Sequence, residues 1–361
     1  EKPDYGTFFN EMKALYDSKS GERGVFSRAA SKKIVARNGR RDSDYDFGTN
    51  PCSEIILRPN QFCNLSEIVA RADDTEADLL RKVELATILG TLQSSLVDFR
   101  YLRAVWKKNT EEECLLGVSL TGIMDCPLLN DAYSSTINKR LETLKEKAIE
   151  TNNTWAKKLG VNTSAAITCI KPSGTVSQLV DSSSGIHPRF ATTYTRTVRA
   201  DRKDPLAQAM EAAGFPCEAD VTNATNLVFS FPIKGHKSAR TVEDIDVMEQ
   251  LDLWKVYQDS WCEHKPSVTI NIKEHEWIEV GAFVYKHFDE MSGVSFLPHS
   301  DHTYQQAPYQ EITEEFYKEE MLHMPKSIDW SRLSEYEVED NTSGSQSLAC
   351  SSDSCELVDL V

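Results

Sequence analysis

The stretch from Asn50 to Cys63 constrains this chain most, because it puts an amide, a thiol and a carboxylate within five residues of one another. Asn50, Cys52 and Glu54 are spaced two apart, so an extended backbone would point all three side chains to one side. Pro51 lacks an amide proton, which favours a loop or a strand edge over a central strand. Cys63 follows Cys52 by eleven residues, enough for the chain to turn and bring back a second sulfur. The stretch predicts a reactive loop, although each residue alone is also typical of a buried cysteine or a capping asparagine.

A second informative stretch, Ala165–Val180, is an apolar segment followed by a turn of small residues. The β-rich run ends at Lys171, and the turn leads into what resembles a short helix. Small residues let a backbone approach an anion, and the N–H groups at a helix start favour negative charge. The pattern is neither a Walker A nor a GxGxxG sequence, and serine–glycine turns are often plain loops. It predicts a candidate phosphate site made of Pro172, Ser173, Gly174, Thr175, Val176 and Ser177.

The last thirty-one residues differ in composition from the rest of the chain. They contain one arginine, no lysine, few aromatic residues and many serines and acidic residues. Such a segment buries too little apolar surface to stay folded, so residues 331–361 are predicted to be a flexible tail. Cys350 and Cys355 lie in it with four residues between them, a spacing that lets two cysteines close a small disulfide. Half of a zinc site is the alternative, but a second Cys-x-x-Cys pair is missing.

Composition and charge narrow the function classes. With 40% hydrophobic and 27% charged residues, the chain is ordinary for a globular protein. A net charge of −16 argues against nucleic-acid binding, which needs basic surfaces. The sequence has no apolar run of about 18 residues and no signal-peptide pattern, so no membrane association is predicted. Nine irregularly spaced cysteines favour reduced thiols and a cytoplasmic location.

The stretch from Asn50 to Cys63 as a whole resembles the active-site loop of ribonucleotide reductases, which has the pattern Asn-x-Cys-x-Glu and a further cysteine downstream. The resemblance implies that Cys52 carries a transient thiyl radical, which takes a hydrogen atom from the ribose 3′ carbon. Glu54 would accept the proton of the 3′-hydroxyl, and Asn50 would hold the substrate hydroxyls. Cys63 would supply half of a reducing dithiol. Pro51 and Ser53 would contact the substrate beside these groups.

The other stretches extend this resemblance over nearly the whole chain. In ribonucleotide reductases a similar Pro-Ser-x-Thr-x-Ser loop binds the substrate phosphates, which implies this role for 172–177. The tail is similar to the arm that re-reduces the active-site disulfide with electrons from thioredoxin or a similar reductant. Gly185-Ile186-His187-Pro188-Arg189 also looks like a segment of the family, although His187 is equally consistent with an ordinary core histidine.

The class of reductase follows from absences in the sequence. The iron- or manganese-dependent class requires a Tyr-Tyr pair, and this sequence has none. The glycyl-radical class requires a C-terminal glycine loop, and none is seen. The eleven-residue spacing of Cys52 and Cys63 resembles the adenosylcobalamin-dependent class, although the sequence has no Asp-x-His-x-x-Gly cobalamin motif. The implied cofactor is adenosylcobalamin. The alternatives are the catalytic part of an iron-dependent large subunit, a non-catalytic fragment that keeps the fold, or a metal-binding module.

The implied fold is α/β, the C-terminal half of a ten-stranded α/β barrel with a central finger loop carrying Cys52. We expect three segments: a lead-in (1–49), the catalytic barrel half (50–330) and the redox tail (331–361). The second active-site cysteine and the effector site would belong to an N-terminal half. The sequence begins at Glu1 without a start signature, so we expect it to be part of a longer or divided enzyme.

Helix signals elsewhere predict packing rather than chemistry. Thr75 and Asp78 form a capping-box pattern, and helix ends are predicted at Gly160 and Gly214. The helix after Thr75 is predicted to bury one face, formed by Leu85, Ile88, Leu89, Leu92, Leu96, Phe99, Leu102 and Trp106. The basic residues of 32–41 are predicted to be solvated loop charge. No metal site is predicted, since His299 and His302 resemble exposed loop histidines.

Overall fold

The computed structural model describes residues 2–18, 24–298 and 305–337. The chain divides into two compact units. The first combines Glu1–Pro188 with Ser238–Ser300, and the second combines Arg189–Lys237 with Asp301–Val361. The three segments predicted from the sequence are a division of another kind, and they stay a prediction.

The described helices and strands alternate along most of the chain. The helices are α1 (Tyr5–Ser18), α2 (Arg28–Arg37), α3 (Glu76–Ser94), α4 (Ala104–Glu113), α5 (Ile137–Leu159), α6 (Val176–Leu179), α7 (Pro205–Ala212), α8 (Val247–Ser260), α9 (Trp277–His287) and α10 (Glu314–His323). The strands are β1 (Gly24–Phe26), β2 (Gly48–Thr49), β3 (Ile56–Leu57), β4 (Asn64–Val69), β5 (Leu116–Thr121), β6 (Thr168–Cys169), β7 (Thr193–Asp201), β8 (Cys217–Ala219), β9 (Asn226–Lys234), β10 (Thr269–Ile272), β11 (Gly293–Pro298) and β12 (Tyr309–Glu311). Short 3-10 helices cover Ile123–Asp125, Glu274–Glu276 and Trp330–Glu335.

The first unit is built on parallel strands. β4, β5 and β6 pair in parallel, β10 pairs in parallel with β11, and β1 runs antiparallel along the outer edge of β11. A parallel bridge between Ile170 and Pro266 links the chain just after β6 to the chain just before β10. Strands β2 and β3 form a separate antiparallel pair on either side of the predicted finger loop. The mixed α/β class expected from the sequence is confirmed.

Helices α3, α5 and α8 cover this sheet. α3 packs against α5, β4 and β5, while α5 packs against α8. Thr75 caps α3 through the predicted box with Asp78, and α5 ends at Gly160, whose φ of 70° suits a residue without a side chain. The core between the layers includes Leu79, Leu141 and Trp254, all fully buried. These contacts hold the strand ends that form the site.

The predicted buried face of α3 is wrong. Leu85 and Leu89 are 49% and 60% exposed, whereas Leu79 and Val83 on another side of the helix are fully buried. The helix also ends at Ser94, so Leu96, which is 72% exposed, lies beyond it. Thr87 and Thr91 join the buried side because each hydroxyl donates to the backbone carbonyl four residues earlier. These internal hydrogen bonds let threonine replace a larger apolar residue in the core.

The prediction for the basic segment is wrong at its end. Arg41 is buried and forms a 2.9 Å ion pair with Glu113. Arg40 pairs with Glu263 at 2.6 Å, and only about a quarter of its side chain is exposed, at 27%. Both carboxylates are distant in sequence, so the pattern of basic residues alone gives no sign of this pairing. Lys33 and Arg37 are exposed, as predicted, but they lie on helix α2 and not in the expected loop.

The second unit contains one antiparallel sheet in the order β12, β7, β9, β8. Asp204 caps α7, and Gly214 follows its end with a φ of 84°, as predicted. α7 packs through Ala207 against Leu227 and Phe229 of β9. The 3-10 helix Trp330–Glu335 packs against α7 and overlaps the start of the predicted tail.

Within the described ranges, no helix combines the length and the apolar character needed to span a bilayer.

Candidate active site

The predicted reactive loop is a tight turn and not an extended segment. The Ser53 N–H donates to the Asn50 carbonyl at 2.9 Å, and the Ile55 N–H donates to Asn50 Oδ1 at 3.0 Å. Ser53 has a φ of 66°, in the left-handed region that few residues with side chains adopt. The spacing-two argument from the sequence is therefore wrong in its geometry. It is the turn that brings Cys52 and Glu54 near each other. Pro51 lies in this turn, as predicted from its missing amide proton, and not in a central strand.

A buried histidine fixes the chain just after this turn. The Ile56 N–H donates to His264 Nδ1 at 3.3 Å, and His264 Nε2 bonds the Leu116 carbonyl of β5 at 2.9 Å. Burial and then the nearby Arg41 charge lower the pKa of His264 to about 3. The ring is neutral at physiological pH and joins β3 to β5, which gives it a structural role.

The return arm towards Cys63 is held by a buried polar network. Arg41 donates to the Ile56 carbonyl at 2.8 Å and pairs with Glu113. Gln61 donates to the same carboxylate, and its Oε1 accepts the Arg58 N–H at 2.9 Å. Buried charges are stable only when they are paired and hydrogen-bonded, as these are. The network therefore fixes both arms of the loop.

The three reacting groups predicted from the sequence share one environment. The Cys52 thiol is half-buried, and burial followed by the charge of Glu54 raises its pKa. Glu54 is fully buried, and neither of its oxygens accepts a hydrogen bond from any residue in the described ranges. Burial and then Glu54 raise the pKa of Cys63 to about 12. The structure thus brings Cys52, Glu54 and Cys63 together.

Glu67 is a residue of this site that the sequence interpretation missed. It lies on β4, where it pairs with Ser119 of β5. Burial raises the pKa of Glu67, and the charge of Glu54 raises it further, while the Ser173 hydroxyl and the Lys171 ammonium oppose this rise. Cys63 and Glu67 are four residues apart, so a strand starting near Cys63 would point both to one face. That spacing is the signal that could have found it.

The predicted phosphate loop has the expected strand–turn–helix form. It leaves β6, turns at Ser173 with a φ of 53° and enters α6. The Ser184 hydroxyl donates to the carbonyls of Pro172 and Ser173 at 2.7 and 3.1 Å, and the Ser177 N–H donates to the Ser173 carbonyl at 3.2 Å. The Ser173 hydroxyl is buried and lies close enough to Glu67 to lower the pKa of that carboxyl. Gly174, Thr175 and Val176 are partly or well exposed at the turn, whereas Ser177 is fully buried.

Lys171 supplies positive charge at the start of this loop. Its backbone N–H donates to the Ser119 hydroxyl at 2.8 Å, and its charge acts to lower the pKa values of Cys52, Cys63 and Glu67. Gly185 lies against it, since a Cβ there would be 2.4 Å from the Lys171 carbonyl oxygen. The ammonium therefore lies within electrostatic reach of both thiols and of Glu67.

Two further groups line the site without an obvious chemical task. Cys169 on β6 is fully buried, and burial raises its pKa well above the usual value for cysteine. His187 bonds the Ser184 carbonyl through Nδ1 at 2.8 Å and accepts the Thr269 N–H on Nε2 at 3.0 Å. His187 therefore has the ordinary structural role that the sequence left open.

Some predicted residues cannot be placed. Cys350 and Cys355 of the tail, and His299 and His302, lie outside the described residues. Within those ranges, no group of three or more histidine, cysteine, aspartate or glutamate side chains has an arrangement that would hold a metal ion.

Comparisons with known proteins support the resemblance stated from the loop. No protein-family model matches the chain. An adenosylcobalamin-dependent ribonucleoside-triphosphate reductase of Lacticaseibacillus paracasei is 26% identical over 348 residues, covering 87% of this chain and 46% of that protein. A probable adenosylcobalamin-dependent ribonucleoside-triphosphate reductase of Dictyostelium discoideum is 29% identical over 355 residues, covering 94% of this chain and 44% of that protein. The chain thus spans about half the length of the curated relatives it matches.

A solved structure agrees with these relatives. The crystal structure of a B12-dependent (class II) ribonucleotide reductase aligns with a TM-score of 0.75 and 24% identity, over 92% of this chain and 49% of that one. At this identity the likeness establishes the fold. Together the comparisons confirm the resemblance to ribonucleotide reductases of the adenosylcobalamin-dependent type along most of the chain.

Proposed function

We propose that this chain carries the catalytic part of an adenosylcobalamin-dependent ribonucleotide reductase, which converts ribonucleotides to deoxyribonucleotides. The observation that supports it most is one cluster: the half-buried Cys52 thiol beside the buried Glu54, with Cys63 close to both. The relatives are named as triphosphate reductases, and a ribonucleoside triphosphate is the proposed substrate. The remaining half of their length is the proposed partner of this chain.

The proposed scaffold is half of a ten-stranded α/β barrel. Five strands run parallel in the order β4, β5, β6, β10 and β11, if the Ile170–Pro266 bridge is taken as the link between β6 and β10. Five is the number that one half of such a barrel contributes. The turn with Cys52 connects β2 to β3, and the chain then continues into the edge strand β4, which suits a finger loop that enters the barrel from its open side.

Each reacting group has a proposed step. A thiyl radical on Cys52 takes the hydrogen atom from the 3′ carbon, while Glu54 accepts the proton of the 3′-hydroxyl. The 2′-hydroxyl leaves as water. A thiol pair that includes Cys63 supplies two electrons and two protons and becomes a disulfide. The 3′ hydrogen atom then returns from Cys52, and Glu54 gives its proton back to the 3′ oxygen. Asn50 is proposed to hold the hydroxyls, with Pro51 and Ser53 against the sugar.

The ionisation of the thiols suits radical chemistry. Hydrogen-atom transfer needs an intact S–H bond, whereas disulfide exchange in solution needs a thiolate. The pKa of Cys63 near 12 and the raised pKa of Cys52 keep both sulfurs protonated at neutral pH. The burial that costs these cysteines nucleophilicity therefore preserves the bond that the proposed reaction uses.

The proposed phosphate site is the loop Pro172, Ser173, Gly174, Thr175, Val176 and Ser177, with Lys171 as its cation. Small residues and a left-handed turn at Ser173 allow an anion to approach the backbone. The net charge of −16 gives no general attraction for a polyanion, so a local ammonium is needed. Lys171 is well placed because its charge already acts on Glu67 beside Ser173.

Adenosylcobalamin, which supplies the initial radical when bound, is the proposed cofactor. A protein ligand for cobalt would need a histidine with an available ring nitrogen. His187 and His264, beside the loops of the site, use both ring nitrogens on backbone groups. Neither histidine is therefore available to cobalt. The residue that would receive the radical is Cys52, because it is half-buried at the tip of the turn and can be reached from outside the loop.

Re-reduction of the site is proposed to use the tail. Cys350 and Cys355 would exchange with the disulfide formed at Cys63 and would then be reduced by thioredoxin. A tail of about thirty residues with random-coil statistics has an end-to-end distance on the order of 30 Å, enough to reach a buried site from the surface. A cytoplasmic location, where thiols stay reduced, remains the expectation from the cysteine content.

The test replaces Cys52 by alanine in the complete enzyme, assembled with the partner half. Cys217→Ala is the matched control, because that thiol lies on β8 in the second unit. We expect no deoxyribonucleotide from Cys52→Ala and undiminished product from Cys217→Ala, with equal thermal unfolding for both. Turnover by Cys52→Ala would overturn the proposal.

A further inference from the structure

A buried lysine lies directly under the reactive turn. Lys265 is 2% exposed, and its Nζ donates to the Ser53 hydroxyl at 2.8 Å. Burying an ammonium is costly unless a partner compensates, so a lysine at this depth needs a specific reason. Nothing in the sequence stretches described above marks it, because it is more than two hundred residues away from the turn, a separation of 212.

The lysine belongs to a segment that holds three successive residues of the turn. The Lys265 N–H donates to the Glu54 carbonyl at 3.2 Å. Its ammonium bonds Ser53, and the Ser267 hydroxyl donates to the Cys52 carbonyl at 2.5 Å. The segment 265–267 therefore holds the backbone of Cys52 and Glu54 as well as the side chain of Ser53.

Ser53 is the residue of the turn that most needs such support. Its φ of 66° is unfavourable for a residue with a side chain and persists only where the surroundings hold it. Relaxing this angle would turn the peptides on both sides, and with them the directions of Cys52 and Glu54. A charged hydrogen bond to Ser53 is a stronger restraint than a neutral one.

The surroundings of the ammonium also match this role. Glycine at position 293 leaves the space for it, since a Cβ there would be 2.7 Å from Lys265 Nζ and 3.0 Å from the Val25 carbonyl oxygen. Glu54 and Cys262 are the groups whose charges raise the pKa of Lys265, against the larger effect of burial. The ammonium therefore also places positive charge near a Glu54 carboxylate that accepts no hydrogen bond from the described residues.

We propose that Lys265 is a positioning residue, whose ammonium holds Ser53 in the left-handed conformation and so aims Cys52 and Glu54 into the site. The inference depends on the proposed function only where it names these two side chains as the reacting groups. The restraint itself is a property of the chain and can be measured without turnover.

The test is hydrogen exchange at the Ser53 and Ile55 amides of the 361-residue chain, both of which donate to Asn50 in the turn. We compare the wild type with Lys265→Met, Ser53→Ala and the double variant, and use Lys139→Met on an exposed part of α5 as the control. Loss of one charged hydrogen bond should speed exchange at the two amides by about tenfold or more in each single variant. The double variant should add little, because both changes remove the same bond.

The amides of β5 distinguish positioning from a merely structural role. Their exchange should stay unchanged in Lys265→Met if only the turn loosens. Equal acceleration at β5 and at the turn, or no acceleration at the turn, would overturn the proposal. If Lys265→Met does not fold, Ser53→Ala decides, since it removes only the acceptor on a partly exposed turn.

Turnover adds a separate readout in the complete enzyme. Lys265→Met should lower kcat by about tenfold or more with a smaller change in KM, because the proposed phosphate loop is untouched while the thiol is misaimed. The two proposals can fail separately. If exchange at the turn is faster in Lys265→Met but neither the wild type nor any variant reduces nucleotides, the proposed function is refuted and the positioning role stands.

Discussion

Cys63 lies close enough to Glu54 for the carboxylate to act on its thiol, although the two are nine positions apart and on different arms of the loop. Burial is the larger cause, and the two together raise the pKa of Cys63 to about 12. The same carboxylate raises the pKa of Cys52. One buried carboxylate therefore adds to the effect of burial on both sulfurs, which leads to a direct test.

Glu54→Gln should make both cysteines more reactive towards iodoacetamide. Removing the charge lowers their pKa values and increases the thiolate fraction, by roughly several-fold at pH 9, since a thiol well below its pKa gains about tenfold in thiolate per unit. Cys63 should remain slower than Cys52, because burial persists. The measurement is the alkylation rate of each cysteine by peptide mass spectrometry, with Glu142→Gln on exposed α5 as the control. Unchanged rates in Glu54→Gln would contradict the electrostatic contact.

Replacing Cys350 and Cys355 by serine should stop sustained turnover with thioredoxin and leave a single round of reduction. The disulfide formed at Cys63 would be buried beside the substrate, where a protein reductant cannot dock. A small dithiol can enter and should largely restore turnover of the variant. Product per enzyme is measured with each reductant, and Cys217→Ser serves as the control. Equal multiple turnover with thioredoxin would remove the tail from the mechanism.

Arg41→Met should destabilise the first unit by about 3 kcal/mol, because it removes the nearest cation from the buried Glu113 carboxylate and leaves it only Gln61 and the more distant Arg58, at 3.6 Å. Arg37→Met is the matched control: its ion pair with Asp259 is exposed, and its loss should cost about 0.5 kcal/mol or less. Urea unfolding followed by tryptophan fluorescence gives both values. The double variant Arg41→Met/Glu113→Met should lose less free energy of unfolding than Arg41→Met alone. A larger loss would show that the carboxylate left behind is not the cause.

Lys265 should make stability depend on alkaline pH. Its folded pKa is about 8, lowered from 10.5 mainly by burial. Between these values the unfolded chain binds the proton that the folded chain has released, so the contribution of this group to stability rises with pH across that window. The rise is on the order of 3 kcal/mol.

The corresponding measurement is the difference in free energy of unfolding between the wild type and Lys265→Met, at pH 7.5 and at pH 10. Taking the difference cancels groups common to both proteins. The wild type should gain relative to the variant at the higher pH, whereas the difference for Lys139→Met should stay flat. A constant difference for Lys265→Met would show that its amine titrates normally.

Local signals in the sequence predicted what local interactions decide. The cap at Thr75, the stop at Gly160 and the Asp204 cap are each set by hydrogen bonds or backbone angles within a few residues. The strand–turn–helix at Pro172 belongs to the same kind. The closeness of Cys52 and Glu54 was also predicted, but for the wrong reason, because a turn replaces the expected extended backbone.

What depended on distant partners was missed. α3 has apolar residues on two sides, and only its packing against α5 and β5 decides that Val83 is buried and Leu89 is not. Arg41 and Lys265 both resemble surface residues in sequence, and their partners lie 72 and 212 residues away. A charge pattern cannot show which cation meets a buried acceptor, because that is set by the assembled strands.

Gly293 bears on how such a site arises. Any side chain at this position would press on the Lys265 ammonium and on the Val25 carbonyl oxygen. With a larger residue at 293, the ammonium of Lys265 would have to shift, which would weaken its contact with Ser53. Glycine at 293 is therefore a permissive residue, which lets the lysine form this contact without a shift. A larger residue at 293 should disturb the turn while Lys265 is present, and should be tolerated better once Lys265 has been replaced by methionine.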